Sequence, residues 1–139
     1  EHSEVFLRQM IGIDYRLVWG SLMALASISR VEPELVFSRI DDICSAADAS
    51  SILAKDQVFN IIWNLLEIDP KFIPELISLL FRRLETSSAY QFPRYAEKAL
   101  QILPLEYKNK LRGILLSRLT EVTEQRRITK IDILLKKYQ

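Results

Sequence analysis

The sequence predicts an all-α fold, an α-α superhelix (solenoid) of about four stacked antiparallel helix pairs. Three observations carry that expectation. Apolar residues recur at i, i+3/i+4 and i+7 through most of the chain, and strict alternation at period two is nowhere sustained. Glycine occurs 3 times and proline 5 times in 139 residues, too few for the many turns of an all-β fold. Three prolines, Pro33, Pro70 and Pro104, mark an internal period of 37 and then 34 residues.

The elements follow in order from start, stop and stripe signals. Ser3 is a candidate N-cap for a short first helix, with Gly12 as its stop. Asp14 caps the next helix, which runs toward Arg30. Proline tolerates the first helical turn because its missing N–H is not needed there, so Glu32-Pro33, Asp69-Pro70 and Leu103-Pro104 each read as helix starts. After Pro33 comes the stripe Val36, Ile40, Ile43, Cys44 and Ala47, closed by a break at Asp48 to Ser51. The following helix carries Val58, Phe59, Ile61, Ile62, Trp63, Leu65, Leu66 and Ile68. It is apolar on nearly every side and is therefore expected at the centre. Ile73, Ile77, Leu80, Phe81 and Leu84 form the stripe after Pro70, with a break at Thr86 to Ser88. Leu111, Ile114 and Leu115, continued by Leu119 and Val122, form the stripe after Pro104, and Thr123 caps the last helix.

With the prolines aligned, apolar positions coincide. Val36 matches Ile73 and Tyr107; Ile40 matches Ile77 and Leu111; Ile43 matches Leu80 and Ile114; Cys44 matches Phe81 and Leu115. Upstream, Ile28 matches Leu65 and Ala99, and Leu25 matches Ile62 and Ala96. Each unit is thus a helix-turn-helix, with approximate bounds 3–30, 33–68, 70–103 and 104–139 in one domain. A non-repetitive helical bundle is the competing arrangement, since shared helical periodicity makes coincidences easy.

Phe72-Ile73-Pro74-Glu75-Leu76-Ile77-Ser78-Leu79-Leu80 resembles the first helix of a HEAT repeat, including the proline inside its first turns. Arg94-Tyr95-Ala96-Glu97-Lys98-Ala99-Leu100-Gln101-Ile102-Leu103 resembles the second helix, and Asp14 to Leu25 resembles the second helix of the shorter HEAT-like repeats. Three departures accompany the likeness. Val18 stands where an arginine is often found, the unit after Pro33 has no inner proline, and the spacing is short. Armadillo-like and TPR-like relatives stay open. The resemblance implies a curved stack of helix pairs with a partner on its concave face, and it implies no enzyme.

Rare residues narrow the function classes. The single cysteine, Cys44, excludes an intramolecular disulfide, and it falls in an apolar run as a small core residue. One cysteine and one histidine, His2, cannot assemble a zinc site of about four ligands. Nor is His2, beside the first residue, placed to act as a general base. Asp41 and Asp42 are adjacent and point about 100° apart on a helix, so they share no site. Glycine-rich phosphate cradles are missing. The chain is expected to be a non-catalytic binding module with no cofactor and no metal, in the cytoplasm and away from membranes. Glu1-His2-Ser3-Glu4 has neither an initiator Met nor a basic leader region, which leaves a fragment of a longer solenoid in play.

The candidate binding face is the polar stripe of the second helices. On the central helix that stripe is Gln57, Asn60, Asn64 and Glu67. Shifted by 37 it falls on Gly20, Met23, Ser27 and Arg30; shifted by 34 it falls on Gln91, Arg94, Lys98 and Gln101. The last helix adds Arg126, Arg127, Lys130 and Lys137. Residues left facing water once a core is satisfied would give the same pattern. Read as a site, the stripe fits a protein or peptide, and its basic end suits acidic groups. Nucleic acid is the second choice, because phosphate presents the same anionic oxygens. Trp19 and Trp63 read as core packing rather than as base-stacking surfaces, and Tyr90, Phe92 and Tyr95, clustered around Pro93, read as filling the space between repeats rather than as an exposed anchor. The net charge of +1 hides a split: residues 1–93 carry 8 basic and 13 acidic side chains, residues 94–139 carry 11 and 5. Such a split favours an acidic partner at the C-terminal end, or self-association.

Overall fold

The helical spacing is realised throughout the computed structural model, which describes residues 2–9, 14–118, 120, 129, 132, 133 and 136. Among these the order is α1 (His2–Gln9), α2 (Tyr15–Ile28), α3 (Pro33–Ser38), α4 (Ile40–Asp48), α5 (Ile52–Ile68), a 3-10 turn (Pro70–Phe72), α6 (Ile73–Thr86), α7 (Phe92–Ile102) and α8 (Leu105–Arg118), with no strand. Gly12, Leu119, Val122 and Thr123, expected as stops, stripe members or caps, lie outside the described residues.

Local chemistry sets most of the boundaries. Asp14 caps α2 by accepting from the backbone N–H groups of Arg16 and Leu17, and Ser51 caps α5 by accepting from Ala54. Pro33 opens α3 as expected, Pro70 opens the 3-10 turn that leads into α6, and Pro104 stands just before α8. Two expectations need correction. Ser3 is inside α1 rather than before it; its side chain is buried and donates to Glu32 Oε2 at 3.2 Å, tying α1 to the entry of α3. The stripe from Val36 to Ala47 is not one helix. It breaks at Arg39, where φ is −112° and ψ 16°, and the Arg39 N–H bonds Val36 at i−3. The Ser38 hydroxyl donates to the Leu35 carbonyl at 2.6 Å, drawing that carbonyl off the helical ladder at the same point.

The chain packs as two compact units, Glu1–Leu76 and Ile77–Gln139. In the first, α2 packs against α1, α4 and α5. Leu22, Leu25, Ile43, Ile61, Ile62 and Leu65 are sealed from solvent there, each stabilising the fold by about 1.5–3 kcal/mol relative to exposure. The second unit buries Leu80, Phe81, Leu84, Phe92, Ala96, Leu100, Leu111 and Leu115. The matched positions Ile43, Leu80 and Ile114 are all buried, as are Cys44, Phe81 and Leu115, and Leu25, Ile62 and Ala96.

A shared device secures two helix C-termini. The last four carbonyls of a helix have no partner within it. At the end of α2, Ser29 Oγ donates to Ala26 O at 2.6 Å, and Asn64 of α5 donates to Ala26 O at 2.7 Å and to Ser29 Oγ at 3.1 Å. At the end of α6, Ser87 Oγ donates to Leu84 O at 3.0 Å, and Arg118 of α8 donates to Leu84 O at 2.7 Å and Ser87 Oγ at 3.1 Å. The Arg118 guanidinium also lies over the Phe92 ring, 4.6 Å from its centroid. Each cap is a serine just past the helix, topped by a side chain from a helix one period onward.

Removing either topping donor leaves the carbonyl with the serine hydroxyl as its side-chain donor and takes away the bond between helices. Asn64→Ala and Arg118→Met should each lower the unfolding free energy by about 1–3 kcal/mol. Urea unfolding followed by circular dichroism measures this, and an unchanged midpoint would show that water serves the carbonyl equally well.

Candidate functional site

Two of the candidate stripes lie side by side in the first unit. The pairings of Ala26 with Asn64 and of Arg30 with Glu67 rise together along both helices, so α2 and α5 run in the same direction. Their outer residues therefore form two parallel rows. The α2 row is Gly20, Met23, Ser27 and Arg30, all exposed, preceded by exposed Leu17. The α5 row is Gln57, Asn60, Asn64 and Glu67, preceded by exposed Leu53. A Cβ added at Gly20 would meet nothing within 4 Å, so the surface is open there.

The rows differ in what they leave for a partner. Asn60 is exposed, and its amide donates to Gln57 Oε1 at 3.2 Å. Glu67 is exposed and pairs with Arg30 at 3.8 Å. Asn64 is half-buried and committed to the α2 cap, so its role is to hold the two rows together. Arg30 and Glu67 neutralise one another, which leaves the exposed face largely uncharged.

The candidate residues of the second unit separate similarly. Arg94 and Gln101 are exposed on α7 and Lys98 is half-buried, one helical face at i, i+4 and i+7. The Arg94 guanidinium sits 5.2 Å from the Tyr95 ring centroid and donates to Tyr95 Oη at 3.4 Å. Gln91 departs from expectation, because it is buried at 4% exposure. Helix α7 begins only at Phe92, so Gln91 falls in the preceding turn. There its N–H donates to Ser88 Oγ at 3.1 Å, its Oε1 accepts from Ser88 Oγ at 3.3 Å, and its Nε2 donates to Tyr95 Oη at 3.0 Å. Gln91 organises the turn and presents nothing outward. Arg126, Arg127, Lys130 and Lys137 lie outside the described residues.

Aromatic placement follows the packing reading for Trp63, Phe92 and Tyr95, leaves Trp19 half-buried, and corrects it for Tyr90. Phe92, Tyr95 and Trp63 are buried, with Trp63 5.7 Å from Phe59 between ring centroids, whereas Tyr90 is 72% exposed. Cys44 is buried. Among the described residues no group of three or more His, Cys, Asp or Glu could hold a metal ion, and no helix is long and apolar enough to cross a membrane.

Other side chains meet at the repeat spacing too. Lys71 pairs with Glu34, 37 residues earlier, and lies 3.8 Å from Asp69. Phe37 and Phe72 meet with their rings tilted at 46° and 5.0 Å between centroids, and Lys71 Nζ lies 5.2 Å from the Phe72 centroid.

Comparison with known protein families, with curated proteins and with solved structures finds no match.

The hydrogen bond to Glu34 raises the Lys71 pKa above its ordinary 10.5; desolvation opposes this, and the charges of Glu34 and Asp69 add to it. A raised lysine pKa stabilises the fold fully below 10.5, and that contribution is lost as pH climbs through the raised value. The effect is small, because Lys71 and Glu34 are both more than half exposed. Thermal unfolding of wild type and Glu34→Gln should therefore differ slightly at neutral pH and converge in strong alkali. A gap that widens in alkali would show that Glu34 acts otherwise.

Proposed function

We propose that this chain is a HEAT-like α-solenoid module, a non-catalytic scaffold whose second-helix face binds a protein segment. The observation that carries the reading is contact at the repeat offset. Arg30 meets Glu67 and Glu34 meets Lys71 across 37 residues, and Arg118 meets Leu84 across 34. These are the spacings of Pro33, Pro70 and Pro104. Contact between a position and its own counterpart one period onward is what stacking of repeats requires.

The exposed face supplies the binding chemistry. The Gln57 and Asn60 amides each carry donors and an acceptor, which suits the N–H and C=O groups of an extended peptide. Leu17, Met23 and Leu53 add apolar area around the opening at Gly20. In the second unit, Arg94 and Lys98 on α7 suit carboxylates. A stack of packed helices holds these groups in place before binding, so little ordering entropy is lost on association.

Nucleic acid is the second reading, favoured by an excess of basic over acidic residues in the second unit, 13 to 6. It requires an affinity that falls linearly in log–log form with salt, with a slope near −0.9 per phosphate contact on duplex DNA.

Selection of a displayed peptide library on the immobilised protein tests the scaffold reading. Enriched peptides should lose about tenfold or more in affinity for Arg94→Glu/Lys98→Glu, at about 1.5–3 kcal/mol per lost charge-assisted bond. Peptides that use the first unit should instead be blocked by Gly20→Trp, at a position where an added Cβ meets nothing within 4 Å. Helicity should be unchanged in both. Undiminished binding by the folded variants would remove the face from the account. Titration of single- and double-stranded DNA at two salt concentrations decides the second reading, and no binding at low salt rejects it.

A further inference from the structure

The division of charge coincides with the division of the fold. Residues 1–76 carry 6 basic and 12 acidic side chains, and residues 77–139 carry 13 and 6. The first unit is thus net −6 and the second net +7, in a chain whose total is only +1. We propose that a second copy of this chain is a partner of the protein, with the acidic unit of one copy docking on the basic unit of another. This goes beyond the peptide-binding face, and it uses different residues.

The acidic surface is the outer side of α4. Ile40, Ile43, Cys44 and Ala47 face the core, which leaves Asp41, Asp42, Ser45 and Asp48 exposed, with no basic residue in the helix. Arg39, just before it, pairs with Asp42 at 3.0 Å and is the cation nearest that surface in sequence. The basic surface is on α8. There Lys110 is exposed and Lys108 half-buried, with Glu106 an exposed acid at the start of the helix. Lys110 Nζ is 5.2 Å from the Phe81 ring centroid, which anchors its stem. Apolar surface accompanies each charge. Val31 is 82% exposed in the turn before Glu32 and Glu34, and Leu105 is 75% exposed in the first turn of α8.

Three consequences follow from electrostatics alone. Docking like unit on like unit brings net charges of the same sign together, so only acidic-on-basic contact is attractive. A total charge near zero removes the long-range repulsion that would keep copies apart. The attraction acts over the Debye length, so it fades with salt while the exposed apolar side chains determine how long a formed contact lasts.

The test uses the full chain. Sedimentation velocity should give a weight-average mass that rises above 16.2 kDa with concentration at low salt. It should return to the monomer when salt is raised from about 0.01 M to about 1 M, as the screening length shrinks from ~30 Å to ~3 Å. Asp41→Lys/Asp42→Lys should weaken association about tenfold or more, and Lys108→Glu/Lys110→Glu should do the same. Circular dichroism confirms that both are folded. An equimolar mixture of the two variants should associate again, because the reversed acidic surface of one meets the reversed basic surface of the other. Recovery on mixing is a result that simple misfolding cannot produce. A wild type that stays monomeric at low salt overturns the proposal. So does association that ignores both reversals, or a mixture that fails to recover. Since Arg94, Lys98 and Gly20 are untouched, loss of self-association would leave peptide selection on the second-helix face intact.

Discussion

The structure depends on how helix C-termini are finished. Every α-helix ends with carbonyls that its own backbone cannot satisfy. In this chain α2 and α6 end against other helices, where water has poor access: Ser29 is fully buried, and Ser87 is half-buried. The serine hydroxyl supplies one donor, and a side chain from another helix supplies a second. Asn64 does so for α2, and Arg118 does so for α6. The requirement fixes the sliding register of α5 on α2 and of α8 on α6 more narrowly than apolar packing could, because Leu and Ile tolerate small slips that a hydrogen bond does not. Once that register is set, Arg30 meets Glu67, and the exposed residues of α2 and α5 form rows that run in the same direction.

That constraint also explains which polar residues are available for function. A polar side chain on a second helix has two uses, to satisfy a neighbouring helix end or to face solvent. Asn64 and Asn60 are one turn apart on α5 and differ in this respect: Asn64 closes α2, whereas Asn60 faces outward with Gln57. Gln91 is spent on the turn that launches α7. What is left is a nearly neutral face in the first unit and a basic one, Arg94 with Lys98, in the second.

The sequence made the helices legible because their signals are local. Asp14 accepts from N–H groups two and three residues away, and Pro33 and Pro70 need only their own backbone. Buried positions were legible through periodicity, as Ile43, Leu80 and Ile114 illustrate. The misreadings share a cause, which is that the deciding partner is distant or the decision is a near tie. Ser3 looks like a cap until Glu32 comes within reach of it. The stripe from Val36 to Ala47 is continuous in its apolar face, and nothing in that face records the turn at Arg39. Gln91 matched Gln57 by arithmetic, but α7 spans 11 residues against 17 for α5, so the same offset lands before the helix. A serine just past a helix, as at Ser29 and Ser87, together with a polar residue about one period on, is a signal that would have found both caps.

The central claim is that a side chain of α5 closes the C-terminal end of α2, and a double-mutant cycle between Ser29 and Asn64 tests it most directly. Unfolding free energies of the wild type, Ser29→Ala, Asn64→Ala and the double variant give the coupling between the two side chains. The account predicts a favourable coupling within the range of about 0.5–3 kcal/mol expected for residues in one hydrogen-bond network. Strict additivity of the two substitutions would contradict it.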